Sequence, residues 1–342
     1  MSPEPRTETA RAPGAHAHPF VLICGLDHAN IAEEEAVFTA AGLRFGLTVA
    51  RTEDDFLRLC GEADGLLVQY GDVSRRVVEG LPRLRLLVRY GVGVDGMDVQ
   101  AATERGIPVV NVPDYGTDEV ANHAVALFLA LARKIPQLDR QTRAGRWSVF
   151  EVQPIHRLVG QTIGIVGCGR IGSRVARKLA GFDVRLLAHD PYIAEFPAGV
   201  TPVGFDRLLA ESDFLTIHCP LTAETRHLID ASALARMKPT AVLINTARGG
   251  IVDTTALSEA LGAGRLGGAG LDVTEQEPLD PASPLLRMDT VVVTPHGAWY
   301  SEEGRSELKR RVAEEAVRVL VRGESPLHCV NPEVLRRGRG GP

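Results

Sequence analysis

Lysine is scarce, with four residues (Lys134, Lys178, Lys238 and Lys309) in a chain of 342. Each falls near an expected helix or helix end, which argues against Schiff-base chemistry and leaves the basic work to arginine and histidine. The five cysteines (Cys24, Cys60, Cys168, Cys219, Cys329) are odd in number and show no CxxC spacing. That disfavours a disulfide framework and a zinc site, and it fits a reducing compartment. Positive charge is not in excess either: 38 Lys+Arg against 43 Asp+Glu leave a formal charge of −5. With no basic block in its body, and only Arg337 and Arg339 in a short tail, the chain lacks the footprint of a nucleic-acid binder. A membrane-spanning run is also missing. The most apolar helix-like stretch, Ala121 to Ala132, is too short to cross a bilayer and carries Asn122 and His123. The first 18 residues contain no apolar core of a signal peptide and read as a disordered tail. His16 and His18 within it are too few ligands for a metal. The expectation is a soluble, cytoplasmic protein with no metal, no membrane and no nucleic-acid partner.

What is present is an ordinary globular composition, 44% hydrophobic and 24% charged. At about 150 residues per domain the length suggests about two domains. From Phe20, short apolar runs (20–24, 65–69, 84–88, 107–112) alternate with helical spacing near 31–42, 52–62, 73–81 and 98–105. A long helical pattern then runs from Thr117 to about Gly145, with Pro136 as a kink or break. A second series of apolar runs follows (162–167, 184–190, 214–220, 241–247, 267–273, 290–296), and an amphipathic stretch covers 301–322. Strands alternating with helices imply parallel sheets covered on both faces. The expected architecture is α/β, with two doubly wound parallel-sheet domains, one inserted into the other. The boundaries are 19–112 with 301–335 for the outer domain and 113–300 for the inner.

The sharpest local signal is GIVGCGRIGSRVARKL, in which Gly167, Gly169 and Gly172 stand in GxGxxG register. Alone the triplet is weak, but an apolar strand precedes it, a helix follows, and Asp190 closes the next strand. Glycines there let the backbone approach a pyrophosphate seated on the helix N-terminus. Asp190 would accept hydrogen bonds from ribose hydroxyls. A carboxylate at that point repels a 2′-phosphate, and the following PYI brings no arginine, so NAD(H) is favoured over NADP(H). A ligand-free strand–helix turn is the plain alternative, at roughly one in ten.

A second set is dispersed: Arg248 in NTARGGIVD, Asp272 and Glu277 in LDVTEQEPL, and His296 in VTPHGAWYS. Each follows an apolar run, at the strand end where a doubly wound sheet places ligands. Arginine can hold a carboxylate in a planar fork, histidine can pass a proton, and a glutamate can hold that histidine. Singly, a strand-end arginine is usually a surface ion pair, and a glutamate before proline is a turn residue. Behind a dinucleotide fingerprint the combination reads as a site.

With these motifs, and with RYGVGVDGMD (89–98), HCPLTAETRHLI (218–229) and TPH (294–296), the chain resembles the D-2-hydroxyacid dehydrogenase family from about Phe20 to Val334. HGAWYSEEGRSELKRR and HCVNPE are similar to the branch containing the C-terminal binding proteins. The resemblance implies a Rossmann NAD-binding domain inserted into a flavodoxin-like substrate domain, and a homodimer through the apolar helix of the NAD-binding domain. It implies that Arg248 orients substrate and that His296, paired with Glu277, is the acid/base. The Val92 and Gly93 amides would cradle the substrate carboxylate, Arg89 would line the same cleft, and Gln69 and Trp299 would shape the rest of the pocket. Thr117, Arg170, Ile171, His218, Cys219, Pro220, Thr225, Thr246, Ala247 and Asp272 would line the cofactor. Where the C-terminal binding proteins carry Tyr-His, this chain has Val68-Gln69, so its pocket differs.

The activity implied is NAD-dependent interconversion of a small 2-oxoacid and its D-2-hydroxyacid, in a cleft between the domains. The rival reading is an NAD(H)-sensing interaction protein, weakened because the chain has no long extra tails. His123 on the apolar helix, and His189 beside Asp190, read as packed, interface or pocket-wall residues rather than as chemistry. Cys168 and Cys219 read as small side chains without a redox role.

Overall fold

The computed structural model describes residues 18–27 and 30–337. The expected tail therefore lies outside the described residues except for His18, which is exposed, and so does Arg339. Packing divides the chain into two units, one of residues up to Val112 together with Ser306 onward, the other Pro113–Arg305. The second crossing falls five residues beyond the expected one, inside a helix.

The first unit has five parallel strands, β1 Phe20–Cys24, β2 Arg44–Thr48, β3 Gly65–Val68, β4 Leu86–Arg89 and β5 Val109–Val110, in the order β2-β1-β3-β4-β5. Between them run α1 Ala32–Ala41, α2 Glu53–Leu59, α3 Arg75–Gly80 and α4 Val99–Glu104. β1, β3 and β4 are buried almost throughout, as continuous apolar runs require when both faces are covered. Local signals start the helices: Thr52 and Asp55 form a reciprocal capping box, and Asp98 caps α4 through the Ala101 N–H. β2 was not expected from the sequence. RFGLT lies at the sheet edge, half exposed, and shows no clean apolar run.

The second unit opens with α5 Thr117–Ala132 and α6 Ile135–Arg143. The single long helical pattern is broken at Lys134, which takes a left-handed φ of 53° just ahead of Pro136. Seven parallel strands follow: β6 Thr162–Val166, β7 Arg185–His189, β8 Val200–Pro202, β9 Phe214–Ile217, β10 Val242–Asn245, β11 Gly268–Leu271 and β12 Val291–Val293. Their order is β12-β11-β10-β9-β6-β7-β8, which reverses direction between β6 and β9. The intervening helices are α7 Arg170–Leu179, α8 Phe205–Glu211, α9 Ala231–Arg236 and α10 Thr254–Gly262. α5 buries Ala121, Ala124, Leu127 and Phe128 within its own unit, and Phe128 meets Phe214 edge-on at 4.7 Å.

α11 (Glu302–Leu320) and α12 (Glu333–Arg337) close the chain. Lys309 of α11 ion-pairs with Glu33 and, at 3.5 Å, with Glu34 of α1. Asn331, almost wholly buried, donates to Thr103 Oγ1 and Ile107 O and accepts from Val109 N–H. These bonds tie the C-terminal segment into the first unit. The two all-parallel sheets, in these strand orders, are the flavodoxin-like and Rossmann arrangements that the resemblance implied.

Candidate active site

The loops after β6, β7, β9, β10, β11 and β12 gather at the C-terminal edge of the second unit's sheet. Gly167 has φ +83°, and a Cβ there would stand 2.6 Å from Cys219 N. A Cβ on Gly172 would stand 2.1 Å from Gly167 O, so the fingerprint turn closes only without side chains. Gly169, by contrast, has nothing within 4 Å of a Cβ position and begins α7 without any side-chain cap. Arg170 is exposed and Ile171 half-buried at the same helix start. An uncapped, open helix N-terminus is a ready anion site. Asp190 is held against this loop: its Oδ2 accepts from Cys168 N–H at 2.8 Å and its Oδ1 from Tyr192 N–H at 2.9 Å. A carboxylate has about four acceptor positions, so capacity for ribose hydroxyls remains.

Three expected cofactor-wall residues carry buried polar atoms without a partner among the described residues: Thr117 Oγ1, His218 Nδ1 and Thr246 Oγ1. Buried polar atoms are normally paired, and orphans at three of the expected cofactor positions fit a dinucleotide that would satisfy them. Burial pushes the His218 imidazole down to about 3, so it is neutral at physiological pH, and its Nε2 meets Thr216 Oγ1 at 2.9 Å. Burial likewise pushes the Cys219 thiol up to about 11, which leaves it unreactive, as the sequence suggested. Thr225 uses its hydroxyl to close its own loop, donating to Pro220 O and accepting from Thr222 N–H.

The catalytic candidates follow. Asn245, fully buried, donates to Arg248 O at 2.9 Å and accepts from Ala247 N–H at 3.0 Å. The same loop packs so tightly on the next that a Cβ at Gly249 would lie 2.0 Å from the Thr274 carbonyl. Arg248 is half-buried, and its Nη1 donates to Ala247 O. His296 Nδ1 lies 2.7 Å from Glu277 Oε2, while Glu277 Oε1 accepts from Thr274 N–H at 3.1 Å. Burial works to raise the Glu277 carboxyl. The hydrogen bond and charge of His296, the Thr274 N–H and the charge of Arg248 outweigh it and hold the group below its ordinary value. His296 itself has a left-handed φ of 53°. Asp272, which is 2% exposed, secures that turn: its Oδ1 accepts from Thr294 Oγ1 and Gly297 N–H, and its Oδ2 from Ala298 N–H. Trp299 follows, edge-on to Tyr115 at 6.1 Å.

In the first unit, Arg89 Nε donates to Gly93 O at 3.1 Å, and Nη1 reaches the carbonyls of Val68 and Gln69. Val92 O accepts from Asn111 Nδ2, and Gly91 O from Val112 N–H. All three carbonyls of the 91–93 loop thus accept hydrogen bonds within the first unit, and its N–H groups are the donors of interest. Gln69 is 5% exposed, and its amide is closed on Asp27, donating to Oδ1 at 2.6 Å and accepting from Asp27 N–H.

The sequence profile described as "D-isomer specific 2-hydroxyacid dehydrogenase, NAD binding domain" matches residues 125–298. A glyoxylate reductase of Korarchaeum cryptofilum is 45% identical over 271 residues, which is 77% of this chain and 81% of that protein. The chain belongs to the D-isomer specific 2-hydroxyacid dehydrogenase family. It is accordingly an NAD-dependent D-2-hydroxyacid dehydrogenase with the family's NAD-binding domain. A D-3-phosphoglycerate dehydrogenase of Archaeoglobus fulgidus is 40% identical over 294 residues, but this chain spans only 55% of its length. The crystal structure of a glyoxylate reductase from Paecilomyes thermophila superposes with a TM-score of 0.84 at 29% identity, covering 93% of this chain and 100% of that one. The narrower likeness to the C-terminal binding proteins rests on the segments after His296 and His328 alone.

Sequence reasoning passed over four residues that hydrogen-bond within or beside the candidate site. Asn245 and Thr274 brace the loops of Arg248 and Glu277, while Thr294 supports Asp272. Each lies within three residues of a residue that was singled out, and that adjacency was the available signal. The fourth, His123, stands 2.9 Å from Thr294 Oγ1 although it is 171 residues away in sequence, a pairing no local pattern announces.

Proposed function

We propose that this dehydrogenase reduces a small, unphosphorylated 2-oxoacid such as glyoxylate or hydroxypyruvate, with NADH preferred over NADPH. The observation that carries the mechanism is the 2.7 Å His296–Glu277 pair beside the Arg248 loop, at the strand ends that also bear the glycine fingerprint. Bound NADH supplies the hydride that reaches the substrate's C2. His296 gives its proton to the carbonyl oxygen as that bond is reduced, and Glu277 on Nδ1 fixes the ring and stabilises its protonated form. Arg248 orients the substrate and polarises the carbonyl, while the Val92 and Gly93 amides are suited to a carboxylate. In the oxidising direction His296 takes the proton back.

Preference for an unphosphorylated substrate rests on the first unit's sheet edge. Arg89, the cation expected there, is turned onto carbonyl oxygens, and Gln69 is closed on a carboxylate. The NADH preference rests on Asp190 at the ribose position, in a loop without arginine up to Val200. NADH oxidation against glyoxylate, hydroxypyruvate, pyruvate, phenylpyruvate and phosphohydroxypyruvate tests both parts. Turnover of the first two at least tenfold above the phosphorylated acid is the expected outcome. Equal or better use of phosphohydroxypyruvate would overturn the substrate class. Silence across the panel with tight NADH binding would favour the sensor reading. His296→Gln should bind NADH normally and lose activity by about a thousandfold, and near-normal turnover in that variant would remove the mechanism.

We further propose a homodimer, assembled through the second unit. Its apolar helix α5 faces inward, but the segment after it exposes Ile135, Trp147, Val149, Phe150 and Val159. The five free cysteines suit a reducing, cytoplasmic setting.

A further inference from the structure

One histidine of the second unit reaches the catalytic loop without belonging to the expected machinery. His123, on the second turn of α5, is half-buried, and its Nε2 stands 2.9 Å from Thr294 Oγ1 and 3.6 Å from Asp272 Oδ1. Thr294 has a single hydroxyl hydrogen, and it is given to Asp272 Oδ1 at 2.6 Å. The threonine oxygen can therefore meet His123 only as an acceptor, which requires the proton of a neutral His123 to sit on Nε2. The chain of donors then runs His123 Nε2–H to Thr294 to Asp272.

Asp272 is where this chain joins the chemistry. Its carboxylate holds the N–H groups of Gly297 and Ala298, and its backbone carbonyl accepts from His296 N–H at 2.8 Å. His296, between those anchors, occupies a left-handed conformation that a residue with a Cβ adopts only when its surroundings over-determine it. The direction of the imidazole toward Glu277 thus depends on how the Asp272 carboxylate is turned. Thr294 and His123 brace that carboxylate from the side of α5.

We propose that His123 is a positioning residue for the proton-transfer pair, acting through Thr294 and Asp272 on the turn that carries His296. The inference rests on the assignment of His296 as the acid/base.

The test uses the full-length enzyme with NADH and glyoxylate. His123→Phe keeps a ring of similar size and removes the donor. Its kcat should fall about ten- to hundredfold, as small misplacements of reacting groups do, while the KM for glyoxylate and the NADH affinity, read by fluorescence, stay within about twofold of wild type. His123→Gln places an amide N–H near the Nε2 position and should recover most of kcat, whereas His123→Asn is too short and should not. Thr294→Val cuts the same link, so the His123→Phe/Thr294→Val double variant should be no slower than the slower single one. Independently of turnover, long-range 1H–15N spectra of the histidine rings should show His123 as the Nε2–H tautomer. Wild-type kcat in a folded, NADH-binding His123→Phe variant would overturn the proposal. So would failure of glutamine to rescue, additive losses in the double variant, or the Nδ1–H tautomer. If His296→Gln were also fully active, the acid/base assignment itself would fall. If only His296→Gln were inactive, the positioning role alone would.

Discussion

At the residue scale the proposed chemistry rests on a few side chains, and the protonation of Glu277 is set by what it touches. Glu277 is held below its ordinary value because His296, Thr274 N–H and Arg248 outweigh its burial. The sign follows for a depressed carboxyl. Its contribution to stability is complete above the unfolded value of about 4.3 and is lost as pH falls through the lower folded value. Glu277→Gln should therefore cut activity at pH 7 by about tenfold or more. The gap in melting temperature between it and wild type should close as the solution is made more acid than about pH 4. A constant gap down to pH 3 would contradict the ion pair. His218 runs on the same side. Burial depresses it to about 3, so between roughly pH 6.5 and pH 3 the unfolded chain binds a proton that the folded chain refuses. Stability should fall with pH across that window, and His218→Gln should flatten the fall in a series of thermal melts. Arg248, Glu277 and His296 stood out in the sequence as candidates because each follows an apolar run, and the structure places all three in loops after β10, β11 and β12. His123 did not, because its meaning lies in a contact with a residue 171 positions away. Its setting on an apolar helix favoured the plainer reading of a packed side chain.

Elements were legible where burial writes a continuous apolar run, and illegible where it does not. β6, β9, β10 and β11 are buried at every residue and stood out in the sequence. β2 and β8 are short edge strands with half-exposed residues, VTP in the latter even ending in proline, and neither has such a run. The fingerprint turn lets fold and ligand roles be separated within one element. A methyl at Gly172 would meet a backbone oxygen at 2.1 Å, so Gly172→Ala should lower the melting temperature and abolish NADH binding together. A methyl at Gly169 meets no protein atom within 4 Å, and the position has a negative φ. Gly169→Ala should therefore lose less melting temperature than Gly172→Ala, yet weaken NADH at least tenfold by intruding where the pyrophosphate rests. Calorimetric melts and NADH fluorescence titration of the two variants decide it. Unchanged NADH affinity in Gly169→Ala would mean that the phosphate site is elsewhere.

For the whole molecule, the scarcity of lysine and the net negative charge put the positive features of an anion-binding enzyme in specific places. Arg248, the α7 N-terminus and the 91–93 amides are the proposed places, and Arg89 donates to the carbonyls of Gly93 and Val68. Division into two parallel-sheet units was readable from the alternation of strands and helices. The exact crossing inside α11 was not, because a continuous helical pattern hides the residue at which its packing changes unit. Assembly was the least legible feature. An apolar helix at 117–132 invites an interface, but its apolar side chains are taken up by β10, β11 and α7 of the same unit. The exposed apolar surface lies further along: Trp147 is 90% and Phe150 74% accessible. Large aromatics left open on a globular protein, with Ile135, Val149 and Val159 nearby in sequence, are the composition of an interface core. The chain should therefore sediment as a dimer of 36.8 kDa subunits. Trp147→Glu combined with Phe150→Ser should shift it to the monomer at micromolar concentration, because charge in an apolar contact is desolvated without a partner. Since these residues lie outside the loops that hold Arg248, Glu277 and His296, each monomer should still bind NADH. Analytical ultracentrifugation of both forms is the check, and a wild-type monomer would show that this surface is not a contact between copies.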